Sequence, residues 1–200
     1  MRHASQIKRD LAILGAETEV GFRADSSAAE RIRALAAELE AINPTPEPAS
    51  AAALLRGRWR LLYSNIDLLR KTTLGQLSFN ILPDTGVRVA ELFNEVDPAS
   101  GLWDNVITFD ALDSGEPGTA VIMGSYAAVD DAEIDIRFTG SLVVTATAPV
   151  RLPINREQLP DMRISITYLD ESFRMIRGNH GILYIFERLD AAPLRWSRDI

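Results

Sequence analysis

"ITYLDESFRMIRGNHGILYIFER", residues 166–188, decides the fold. It reads as three short strands separated by two turns, "DES" at 170–172 and "GNHG" at 178–181. Asp, Ser, Asn and Gly supply the turn chemistry, and the flanks are rich in aromatic and β-branched residues. Three arginines, Arg174, Arg177 and Arg188, run through this otherwise core-like stretch. Alternation places Arg177 with Phe173 and Met175, and Arg174 with Ile176, because three positions separate the two arginines. One of them therefore faces an interior or its rim. Two uses are open to it: an ion pair with Asp170 or Glu171 in the adjoining turn, or a polar anchor for a ligand in an otherwise apolar space.

The same pattern extends backwards along the chain. Strands are expected at 58–64, 76–81, 87–96, 102–110, 119–129, 133–145, 162–169, 173–177 and 182–188. Turn residues separate them, as in "PDTG" at 83–86, "DPASG" at 97–101 and "DSGEPG" at 113–118. Ile134, Ile136 and Phe138 alternate with Glu133, Asp135 and Arg137, and Ile164, Ile166 and Tyr168 alternate with Arg163, Ser165 and Thr167. No helical stretch between strands is long enough for a parallel crossover, so the sheet is expected to be antiparallel. So many consecutive strands either stack as two sheets or close on themselves, and a closed barrel of about eight can hold one small ligand.

The first third is helical. Ile7, Leu11 and Leu14 mark one helix, with a break at Gly21; Ile32, Leu35, Leu39 and Ile42 mark a second, opened by a capping box at Ser27–Glu30. "NPTPEPAS", 43–50, stops it and reads as a stiff linker. The division expected is a helical segment and linker over 1–50 and a β domain over 51–200.

Composition narrows the function. A formal charge of −7 argues against general nucleic-acid binding, which needs a basic face. The absence of Cys removes disulfides, thiolate metal sites and Cys nucleophiles. No apolar run reaches the roughly 18 residues of a spanning helix, and the opening residues suit neither a secretory signal nor a transit peptide. A cytoplasmic protein, or one peripheral to membranes, is expected. His3 and His180 are the two histidines and fall in a terminus and a turn, too far apart in role for a metal site or a general-base pair. No nucleophile elbow or phosphate loop is present. No cofactor is implied.

Two segments, "LLRGRWRLLYSN" at 54–65 and "TYLDESFRMIRGNHGILYIFER" at 167–188, resemble the plastid lipid-associated proteins, also called fibrillins or plastoglobulins. The match is to their Gly-x-Trp-x-Leu-x-Tyr opening strand and their closing Thr-Tyr-Leu-Asp … Arg-Gly-Asn-x-Gly segment; "FNEV" at 93–96 is a weaker echo. Without a plant-type transit peptide, the resemblance is to a bacterial member. It implies a mainly β, lipocalin-like antiparallel β-barrel with an N-terminal helical region, no catalytic chemistry, and binding of a lipid, quinone or carotenoid-like isoprenoid.

In lipocalin first strands a Gly-x-Trp plugs one end of the barrel and a late Arg lies over the indole. Gly57, Trp59 and Arg188 resemble that arrangement here, which implies barrel closure; the alternative for Arg188 is an exposed side chain paired with a neighbouring acid. Alternation then assigns a lumen or rim to Trp59, Tyr63, Phe93, Tyr126, Phe138, Tyr168 and Tyr184, with Arg174 or Arg177 as the polar anchor. The alternative is a coat on lipid bodies or photosynthetic membranes. Its contacts would be the helices at 5–16 and 26–42, or the cluster Arg56, Arg58, Arg60, Arg70 and Lys71. A calycin-type enzyme acting on its bound ligand is a third, weaker reading.

Overall fold

The computed structural model describes residues 2–66, 69–78, 80–146, 149–152, 162–192 and 195–196. Within these, ten strands form one antiparallel sheet: β1 (Gly57–Ser64), β2 (Lys71–Thr73), β3 (Gly86–Asp97), β4 (Leu102–Ala111), β5 (Pro117–Ala128), β6 (Glu133–Val144), β7 (Pro149–Leu152), β8 (Met162–Leu169), β9 (Phe173–Arg177) and β10 (Leu183–Asp190). Neighbours follow the order β1-β10-β9-β8-β6-β5-β4-β3, and β1 also pairs with β3, so the hydrogen bonds return on themselves in a ring. β2 and β7 flank the outer parts of β3 and β6.

One expected strand does not form. The described residues of 76–81 form no strand: Thr73 accepts from the Gln76 N–H with its hydroxyl and starts a helical turn, α4 (Leu74–Leu77), capped at Ser78, and Asn80 beyond it holds φ 62°. Sequence reading also missed the short strands β2 and β7.

The helices form where their apolar spacing places them, α1 over Ala4–Glu17 and α2 over Ser26–Glu40. The N-cap of α2 is Asp25, whose carboxylate accepts from Ala28 N–H, rather than Ser27 of the expected box. Ile7, Leu11, Leu14, Ile32, Leu35 and Leu39 bury against the outer face of the sheet, on Tyr63, Tyr168, Phe173, Met175, Leu183 and Ile185.

A second apolar cluster lies inside the ring, with Trp59, Trp103, Ile107, Ile122, Ile136, Phe138, Ile166 and Phe186 among its members. The Pro-rich segment and α3 (Ala52–Leu55) run beneath one end. Thr45 Oγ1 donates to Leu169 O, Ala49 N–H donates to Asp131 O, and Leu55 is fully buried in the interior cluster. At the other end, Leu74 and Leu82, on and beyond α4, bury against the same cluster. Both covers form because each carries apolar side chains that have no other place to leave water.

Candidate ligand-binding site

Arg174 projects from β9 to the inside of the ring and is fully buried. Its guanidinium carbon lies 4.7 Å from the Trp59 ring centre, 4.6 Å from Trp103 and 4.7 Å from Phe186. A cation over an aromatic face is worth about 0.5–2 kcal/mol, most when water is excluded. Nη2 donates to Asn94 Oδ1 at 2.7 Å, and Asn94 Nδ2 donates onward to Asn105 Oδ1 at 2.8 Å. Nε and Nη1 have no acceptor among the described residues. Burial pushes the group well below its ordinary pKa range, and the nearby Tyr126 phenol partly offsets this. A guanidinium nevertheless keeps its proton at neutral pH because its intrinsic basicity is so high. The result is a buried cation held by π faces and a neutral amide, with two donors to spare.

Trp59, fully buried, carries Arg174 over its ring and has the Arg188 guanidinium 5.7 Å from its centre. Its Nε1 donates to Leu55 O at 2.9 Å. Arg188 also donates to the Ala53 and Arg56 carbonyls, tying the end of β10 to α3. At Gly57, φ is 132° and an added Cβ would stand 2.2 Å from Asp190 O, so β1 approaches β10 there as only glycine permits.

The other expected residues divide between the two faces. Phe138 is buried in the interior cluster. Tyr126 meets Trp103 edge-to-face at 5.7 Å, and Tyr184 stacks on Phe186 at 6.4 Å. Burial raises the pKa of both phenols. Tyr63, Phe93, Tyr168 and Arg177 are instead outside the ring. Tyr63 and Tyr168 lie beneath the helices, and Phe93 lies in an outer cluster under Trp196 with Arg58 stacked on it at 3.9 Å. Each of the three aromatics follows a bulge: the register skips Leu62, Ala90 and Thr167, and one extra residue moves everything beyond it to the opposite face.

Arg177 pairs with Glu40 on α2, at 2.9 and 3.0 Å, and not with the adjoining turn. Asp170 serves Lys8, the Tyr168 hydroxyl and its own turn's backbone. Three members of the basic cluster are paired with carboxylates, while Arg56 and Lys71 are exposed. Arg58 pairs with Glu95, Arg60 with Glu187 and Glu91, and Arg70 with Glu19. Trp103, Asn94 and Asn105 complete the cage but were not singled out in the sequence. The one available signal was the "FNEV" echo, which contains Asn94.

A cavity of about 380 Å³ opens on the outer side of β1 and β3, beneath α1. A second, about 450 Å³, lies between α1 and α2 and is lined largely by charged side chains, Arg2, Asp10, Glu17, Arg31 and Glu38 among them. Among the described residues no three His, Asp or Glu side chains gather to hold a metal ion. No helix among them is long and apolar enough to cross a membrane.

Comparison with known proteins gives a consistent set. Plastoglobulin-1 of Pisum sativum is 25% identical over 223 residues, covering 90% of this chain and 60% of that protein. The chromoplast-specific carotenoid-associated protein C2 of an Oncidium hybrid cultivar is 26% identical, with 88% and 66% covered. A plastid-lipid-associated protein of Citrus unshiu is 25% identical, with 88% and 65% covered. The chain thus spans about three fifths of the length of the first of these relatives. The PAP_fibrillin family profile matches residues 5–187, nearly the whole chain, and the chain belongs to that family.

Proposed function

We propose that this protein is a non-catalytic carrier that binds one hydrophobic small molecule, a lipid, quinone or carotenoid-like isoprenoid, within its ring of strands. The observation that carries the reading is Arg174. A fully buried guanidinium with two unpartnered donors is costly where it stands, and an apolar ligand ending in an oxygen acceptor would relieve that cost. Apolar walls with a few fixed polar groups are the usual composition of a small-molecule site. The names of two relatives, carotenoid-associated and plastid-lipid-associated, support association with molecules of that class.

The expected strength is moderate. Burying about 300 Å² of apolar ligand surface yields about 7–8 kcal/mol before association and ordering costs take several of these back. Micromolar affinity follows, improved when an oxygen reaches Arg174. The test is a binding titration of wild type and Arg174→Met with decylubiquinone. Saturable one-to-one binding, weakened about tenfold or more in the variant, supports the reading, since a hydrogen bond from a charged donor is worth roughly 1.5–3 kcal/mol. No saturable binding to wild type would end it.

A further inference from the structure

The ring is closed by a short seam. β1 pairs with β3 only from Gly57–Val96 to Arg60–Phe93. Beyond that point β1 continues against β10, while β3 takes β2 as its neighbour over Gly86–Arg88. The Ala90 bulge falls between these two pairings. The 380 Å³ cavity opens at this split, with Leu62 of β1, Ala90 and Leu92 of β3, and Ala12 and Ala16 of α1 in its walls. Leu92 packs with the interior cluster and Leu62 with the helix-facing one, so the walls of the cavity draw on side chains from both clusters.

The last wall is the turn Glu19–Gly21. Its residues hold φ of 50°, 66° and 101°. Val20 is β-branched, and such a residue in the left-handed region is strained. Its side chain nonetheless packs against the interior cluster, reaching in at the split. Gly21 lets the turn lie directly on β1, where an added Cβ would stand 2.1 Å from Ser64 O. One residue ties this turn to the edge of β3. Arg70 donates to Glu19 Oε2 at 2.7 Å and to Val89 O at 3.0 Å, and its guanidinium lies 5.0 Å from the Phe22 ring centre.

We propose that the split between β1 and β3 is a lateral binding site and doorway for the chain of a neutral acyl or isoprenoid lipid, gated by Val20 and latched by Arg70. This rests on the carrier reading given above. The walls fix the chain, and the rim fixes the charge class. Arg60 stands there between Glu187 and Glu91, one cation to two carboxylates, so an anionic head group meets repulsion that a carbonyl, ester or hydroxyl does not. Asn94, which holds Arg174, pairs with Trp59 one step below the end of the seam. A neutral oxygen carried through the split therefore arrives beside the unpartnered donors.

The experiment titrates decylubiquinone and dodecanoate into ¹⁵N-labelled full-length protein, comparing wild type, Ala16→Leu and Val20→Gly. Ala16 is an exposed helical position, so leucine there narrows the cavity and leaves the fold intact, as the amide spectrum checks. Decylubiquinone is expected to shift the amides of Ala12, Ala16, Val20, Leu62 and Ala90. Ala16→Leu should weaken it about tenfold, the equivalent of one or two displaced methylenes. Val20→Gly, which relieves the strain and removes the plug, should speed its uptake severalfold. Dodecanoate should bind at least severalfold more weakly. Wild-type binding that Ala16→Leu leaves unchanged, or shifts confined to other elements, overturns the doorway and leaves the carrier reading standing. Dodecanoate binding as tightly as decylubiquinone overturns the neutral class. No binding of decylubiquinone to wild type overturns both proposals.

Discussion

Arg174 gains its stabilisation from three aromatic faces and one amide, and pays for it with desolvation of a full charge. A buried charge without an ionic partner is weak evidence of stability, and an apolar residue of similar length can be neutral or better in its place. Arg174→Met should therefore unfold at an equal or higher temperature than wild type, while losing ligand affinity. Asn94→Leu should do the reverse, costing about 2 kcal/mol in urea denaturation because it strips the guanidinium of its acceptor. A large stability loss in Arg174→Met would mean that the cage is a structural keystone and not a binding group.

Asp170 is the second informative residue. Burial works to raise its carboxyl pKa, but Lys8, the Tyr168 hydroxyl and the Ser172 N–H more than offset this and hold it below the usual carboxylate range. A carboxyl depressed in the folded state adds stability above its unfolded pKa, about 4, and that stability is lost as pH falls through the lower folded value. Lys8→Met should flatten this acid limb, seen as a smaller drop in urea midpoint between neutral pH and about pH 3. An unchanged limb would assign the acid sensitivity to other carboxyls. At this scale the sequence was legible for residue type and face only as far as the next bulge. Trp59 and Phe138 could be placed by alternation, which put Arg174 and Arg177 on opposite faces without saying which of the two turns inward. Tyr63, Phe93 and Tyr168 could not be placed, because a bulge inserts a single residue with no turn signature to announce it.

Among the elements, the Pro-rich stretch matters more than a linker would. Asn43 Oδ1 accepts from Leu169 N–H at 3.0 Å and Thr45 N–H at 3.2 Å, so it braces the end of β8 as well as its own turn. Asn43→Ala should cost about 1–2 kcal/mol. Leu55→Ala, which empties a fully buried position over the Trp59 end, should cost about 2–5 kcal/mol. If both changes were silent in chemical denaturation, this segment would not be part of the cooperative fold. Its role was hidden because proline spacing announces stiffness and says nothing of what a stiff segment lies against. The two helices were legible from their apolar stripes; their seat was not, since the Arg177–Glu40 pair joins residues 137 positions apart. Residues 76–81 were misread for a related reason: apolar residues there serve a capped helical turn covering the interior, and short apolar runs do not distinguish helix from strand.

At the scale of the whole molecule, the antiparallel strands and their helical flank were legible from the turn-bounded pattern, which left a two-sheet stack and a closed ring both open; closure came from the family resemblance. How the ring closes was not legible, because its seam is set by where β1 stops pairing with β3. The overall arrangement also bears on the coat reading. Arg58, Arg60 and Arg70 are engaged by Glu95, Glu187, Glu91 and Glu19, which lowers the basic potential that anionic lipid would feel. Charge reversal at Arg58 and Arg60 should accordingly change sedimentation with anionic vesicles little. A loss of vesicle binding in that variant would favour the coat.

Native mass spectrometry shows whether this ring carries a hydrophobic cargo. The protein is purified without detergent from a lipid- and pigment-rich host, weighed intact, and then extracted with organic solvent. A discrete added mass near one neutral lipid, quinone or carotenoid-like molecule per chain is the predicted result. A clean mass of the bare chain, persisting after challenge with quinones, carotenoids and fatty acids, would contradict it and mark the ring as a filled core.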